Sequence, residues 1–132
     1  FVGYVRRLED LIIRTLEFYG IRGCRREGLT GVWVERPAGN DLMPVKIASI
    51  GVKVDARGVS RHGFALNVQP DMTYWQGIIP CGLDGVQMAA MADWLSPCPT
   101  VEEVAEQIGS QFESVFGLIV ERKTGFPDGL NG

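Results

Sequence analysis

The sequence predicts an α+β fold, on three observations. Amphipathic helix patterns stand near its start and toward its end, strand patterns lie between them, and the two kinds of element do not alternate as regular βαβ units. At 132 residues the chain suits one domain with a buried core. Its 45% hydrophobic and 22% charged content is that of an ordinary globular protein.

The first element is a helix over residues 2–19. Val5, Leu8, Ile12, Leu16 and Tyr19 recur at helical spacing, and Gly20 supplies a C-terminal stop. Residues 30–35 read as a short strand, after which Pro37, Gly39, Asn40, Asp41 and Pro44 mark a loop. Residues 45–55 give the clearest strand pattern, with a bend or bulge expected at Gly51. A turn from Gly58 to Arg61 leads to a second strand over 62–68, so 45–68 is expected to form a hairpin-like pair. Asp71 to Ile78 reads as one short helix after Pro70, and Pro80-Cys81-Gly82 as a loop. The last long helix is announced by Thr100 and Glu103 at capping-box spacing. Its buried stripe is Val101, Val104, Ile108, Phe112 and Val115. Leu118 to Val120 is expected to close as an edge strand. The domain is expected to span residues 1–123, with 124–132 a flexible tail.

A net charge of −3 and a pI near 5.1 argue against a protein built to grip nucleic acid. Arginines at 6, 7, 22, 25 and 26 form either a solvated face or a docking patch for an acidic partner. No apolar run is long enough to span a membrane, and no signal-peptide pattern precedes the first helix. Cys24, Cys81 and Cys98 have neither disulfide-framework nor zinc spacing, so no metal is expected and a reducing cytoplasm is the expected compartment. The chain begins with Phe1 rather than Met, which reads as a fragment or a processed product.

Lys46 is the first residue that can carry chemistry. Simple alternation puts Lys46, Ala48, Ile50, Val52 and Val54 on one apolar strand face, where an ammonium loses hydration and its pKa falls. A desolvated lysine can exchange protons near neutral pH. The alternative is a strand-end lysine whose head reaches water. Cys81, between Pro80 and Gly82, is either a thiol held open to an acyl carbonyl or a small apolar residue in a turn. His62 is the only histidine and aligns with Phe64, Leu66 and Val68, which favours a core or edge histidine over a ligand. Gly63, Ala65 and Asn67 take the opposite face, where small residues let a ligand approach. Glycines 51 and 63 suggest a shallow slot, and no phosphate-binding glycine motif is present.

Five stretches together resemble the octanoyltransferase family of lipoate biosynthesis, relatives of the lipoate- and biotin-protein ligases. They are Tyr4-Val5-Arg6-Arg7-Leu8-Glu9, Thr30-Gly31-Val32-Trp33-Val34, Lys46-Ile47-Ala48-Ser49-Ile50-Gly51-Val52, His62-Gly63-Phe64-Ala65-Leu66-Asn67-Val68 and Ile79-Pro80-Cys81-Gly82. The resemblance implies a ligase-like catalytic core, a mixed or antiparallel sheet flanked by helices. It implies that Cys81 is a nucleophile forming an acyl-thioester and that Lys46 is its proton-handling partner. Ser49, Ile50, Gly51, Gly63, Phe64 and Ala65 would line the acyl slot, with His62 and Asn67 as possible support. The implied partners are octanoyl-acyl carrier protein and lipoyl domains of 2-oxoacid dehydrogenases and of the glycine cleavage H protein, with no cofactor. The family's upstream glycine-rich segment and His-Gly-Pro-Gly-Gln motif have no counterpart here, so the chain resembles the C-terminal portion of the family's domain, its N-terminal part missing. Two readings compete: a Cys–His acyl hydrolase using His62, and a non-catalytic module that binds lipoyl domains or acyl carrier protein.

Overall fold

A computed structural model describes residues 2–54, 56–58, 60–76 and 88–116. Helix α1 (Val2–Phe18) puts Leu8, Leu11, Ile12 and Leu16 into the core. It ends as the sequence predicts. Gly20, at φ +85°, lets the Ile21 N–H reach the Leu16 carbonyl (2.9 Å) while its own N–H reaches Glu17 (2.9 Å). These are the paired bonds of a Schellman stop, and Ile21 and Leu16 join the same core.

Among the described residues five antiparallel strands follow: β1 (Gly23–Cys24), β2 (Val32–Ala38), β3 (Asp41–Val54), β4 (Ser60–Gln69) and β5 (Met72–Gln76), hydrogen-bonded in chain order. Two sequence expectations fail here. Residues 36–44 are not a loop: β2 and β3 run through Pro37 and Pro44 to a two-residue turn at Gly39-Asn40, with Ala38 opposite Asp41. Proline is tolerated because this ribbon projects beyond the pairing of both neighbours. β1 ends at the Trp33–Val34 level and β4 pairing begins at Ala48, so both strands are edges there. Asp71 to Gln76 is not helical either. Pro70 and Asp71 form the turn into β5, where Thr73, Tyr74 and Trp75 pair with Asn67, Leu66 and Ala65. β-branched and aromatic residues favour that extended state.

The sheet buries one face. Val32, Val34, Val45, Ile47, Ala48, Phe64, Leu66 and Val68 meet the apolar stripes of α1 and of α2 (Val101–Phe116), whose Val104 and Ile108 are buried. The α2 capping box forms as expected: Thr100 Oγ1 accepts from the Glu103 N–H (3.1 Å) and Glu103 Oε1 from the Thr100 N–H (2.8 Å). A short 3-10 turn, Met91–Asp93, leads from the sheet toward α2. Among the described residues no helix is long and apolar enough to cross a membrane. The expected Leu118–Val120 strand and the 124–132 tail lie outside the described residues.

Candidate functional site

The second sheet face carries the residues of chemical interest, and a bulge decides which side Lys46 takes. The β2–β3 register steps from Val32 opposite Ala48 to Trp33 opposite Lys46, so β3 carries one extra residue, Ile47. Val45, Ile47 and Ala48 therefore all belong to the core, and Lys46 turns the other way, level with Trp33. This corrects the expectation that Lys46 shares a face with Ala48 and Ile50. The bulge expected at Gly51 is absent: Ile50, Gly51 and Val52 pair without interruption with Phe64, Gly63 and His62.

Lys46 is nonetheless partly desolvated. Its Nζ lies 5.3 Å from the centre of the Trp33 ring, and burial holds its ammonium below the usual lysine range. Its stem passes Gly31, a buried residue at φ +122° where a Cβ would stand 2.8 Å from Lys46 Cε and 2.8 Å from the Ala48 carbonyl oxygen. Only glycine leaves the stem this path. On the other side Met88 bridges to Lys46 in parallel, and the Ala89 N–H donates to the Lys46 carbonyl at 2.7 Å.

Beyond the bulge, Ser49 faces Ala65 across the β3–β4 ladder and Gly51 faces Gly63, a floor of small residues on the Lys46 side. Ile50 and Phe64 contribute backbone to that ladder while their side chains pack in or against the core, Phe64 beside Tyr74 with ring centres 5.8 Å apart. Asn67 lies on the Lys46 side, between core residues Leu66 and Val68. Its Nδ2 donates to the Ala89 carbonyl (3.0 Å), and its Oδ1 accepts from Thr73 Oγ1 (3.2 Å). Ala89 is thus held by Lys46 through its N–H and by Asn67 through its carbonyl. His62 stands opposite Val52 in the ladder. Cys81 lies outside the described residues, within the segment that joins β5 to Met88. Cys24 and Cys98 are half-buried, and burial pushes both thiols up, the opposite of an activated thiolate.

Sequence reasoning gave no role to Gly31, Trp33 and Ala89. One signal for Trp33 was available: the Gly39-Asn40 turn pairs Ala38 with Asp41 and counts back to Trp33 opposite Lys46.

The fold and this face define an α+β catalytic-core type: a meander sheet with helices on one side, and on the other a half-buried lysine beside a floor of small residues. Residues 1–113 match the lipoyl protein ligase A/B catalytic domain, and the chain belongs to that family. It is 45% identical over 115 residues to an octanoyltransferase of Chloroflexus aurantiacus, covering 87% of this chain and 49% of that protein. It is 44% identical over 115 residues to one of Nostoc sp. (87% and 48%), and 42% identical over 114 residues to one of Rhodospirillum rubrum (86% and 50%). The chain spans about half the length of the curated relatives it matches.

Proposed function

We propose that this chain carries the cysteine–lysine part of an octanoyltransferase, which moves an octanoyl group from acyl carrier protein to a lysine of a lipoyl domain. One observation carries the reading beyond family membership. The segment bearing Cys81 leaves from Gln76, one residue past Trp75 and its partner Ala65, and returns at Met88 and Ala89, bonded to Lys46 itself. The return point is bonded to Lys46 itself and the departure point follows the partner of Ala65 by one residue, which supports a meeting of thiol and amine there.

In the first half reaction neutral Lys46 takes the Cys81 S–H proton, and the thiolate attacks the octanoyl thioester. The carbonyl–sulfur bond to the carrier breaks, the new thioester forms on Cys81, and the ammonium of Lys46 returns its proton to the departing thiolate. In the second, the amine of the target lysine attacks the Cys81 thioester. Its proton passes to Lys46 and on to the leaving Cys81 thiolate, and an amide remains. The lowered proton affinity of Lys46 suits an amine that must alternate between both states. The floor of Ser49, Gly51, Gly63 and Ala65 leaves room for an alkyl chain. Each buried methylene there contributes about 0.8 kcal/mol.

The test is intact mass of the full gene product after incubation with octanoyl-acyl carrier protein. One octanoyl adduct is expected, absent in Cys81→Ala and slowed strongly in Lys46→Ala. An adduct that persists in Cys81→Ala, or undiminished transfer in Lys46→Ala, refutes the reading. Loss of activity in His62→Ala alone would favour acyl hydrolysis instead.

A further inference from the structure

Glu9 sits on α1, apart from every residue given a chemical role above, and is only 4% exposed. A carboxylate withdrawn from water is costly unless its oxygens are met. Both are. Oε1 accepts from Arg25 Nε at 2.8 Å, and Oε2 accepts from the Gly31 backbone N–H at 3.1 Å. Arg25 also donates to the Arg6 carbonyl (3.1 Å) and to the Asp10 carboxylate.

Those last two contacts already tie α1 to the chain after β1 without burying a charge. The bond to Gly31 does something more. Gly31 is the wall along which the Lys46 stem runs, close enough that a single added carbon would touch Cε. Glu9 holds that wall from behind. If the Gly31 backbone drifts outward, the stem gains room, and Nζ can leave the Trp33 ring for water. Among the described residues the side-chain neighbours of Lys46 are Gly31 along its stem and the Trp33 ring at its head.

We propose that Glu9 is a positioning residue for Lys46, acting through its hydrogen bond to the Gly31 backbone and braced by Arg25. The inference rests on the reading of Lys46 as the proton-handling group and extends it to a second layer of the site.

The experiment compares Glu9→Gln and Glu9→Asp in the full gene product. Glutamine has one carbonyl oxygen for two donors, so either Arg25 or Gly31 loses its acceptor. Aspartate keeps the charge, but its carboxylate is drawn back by one carbon–carbon bond, about 1.5 Å. Two readouts are taken: the pH midpoint for labelling of Lys46 by an amine-reactive reagent, read by mass on its peptide, and kcat and KM for octanoyl transfer. In both variants the Lys46 midpoint is expected to rise and kcat to fall by up to about 10²-fold, as for a displacement near 1 Å, with KM unchanged. An unaltered Lys46 midpoint in folded variants overturns the proposal whatever the activity. So does a fall in kcat that only tracks the lost folded fraction, or collapse of both variants, either of which makes Glu9 purely structural. If Lys46→Ala retains transfer while the Glu9 variants still shift the midpoint, the functional reading fails and the positioning survives.

Discussion

Replacing Gly31 with alanine adds one methyl group at the most constrained point beside Lys46, and its cost has two separable parts. The backbone sits at φ +122°, which L-residues rarely adopt, and such strain costs about 1–3 kcal/mol. The new Cβ would stand 2.8 Å from both the Ala48 carbonyl oxygen and Lys46 Cε. Overpacking of this kind adds about 1–3 kcal/mol. Gly28 provides the control: it is exposed, at φ +79°, with nothing within 4 Å of its Cβ position, so Gly28→Ala carries only the backbone part. Urea unfolding of the full gene product, followed by tryptophan fluorescence, separates the two. With a slope of about 2 kcal/mol per molar, Gly31→Ala should lower the midpoint by about 1–3 M. Gly28→Ala should move it by only about half as much. Equal shifts in the two variants would refute the close approach of backbone and lysine stem on which the site's geometry rests.

Three further outcomes are expected. Thr100→Ala removes the acceptor for the Glu103 N–H and should destabilise the fold by about 1 kcal/mol in the same urea assay. Asn67→Asp loses the donor to the Ala89 carbonyl, so amide hydrogen exchange at Ala89 should accelerate and octanoyl transfer should fall. Lys46→Met tests linkage. Because burial lowers the Lys46 pKa in the folded state, the unfolded chain binds the extra proton between the lowered value and 10.5. The wild type should therefore gain stability as pH rises through that window. Lys46→Met lacks this gain, so its stability relative to wild type should fall from pH 7 toward pH 10 in thermal unfolding scans.

Most of the scaffold was legible in the residues themselves. The α1 stripe with its Gly20 stop, the Thr100–Glu103 box and the β3–β4 hairpin each follow from local spacing, because side-chain periodicity and capping act over a few residues. What local spacing cannot convey is register. Strict alternation placed Lys46 beside Ala48, and only the pairing of β3 with β2 reveals the extra residue that turns it toward Trp33. The two prolines at 37 and 44 read as a loop because their tolerance depends on neighbouring strands being absent at that level, a tertiary fact. The stretch after Pro70 reads as a helix from its proline start alone, whereas its Thr-Tyr-Trp composition favours the strand that forms. Glu9 was legible only as part of a resembling motif. Its role depends on a bond to Gly31, 22 residues away.

The doubled step at Ile47 also says what kind of change this family of sequences can absorb here. Between Lys46 and Ser49 the two inward residues Ile47 and Ala48 stand where plain alternation holds one, so a chain one residue shorter there would keep the amine facing Trp33 and the core residues facing the helices. Loss of a single residue from this window is therefore a change the sheet can absorb, as at the projecting turn at Gly39-Asn40, whereas a deletion within the uninterrupted pairing of Ile50 to Val52 would exchange the two faces from there on.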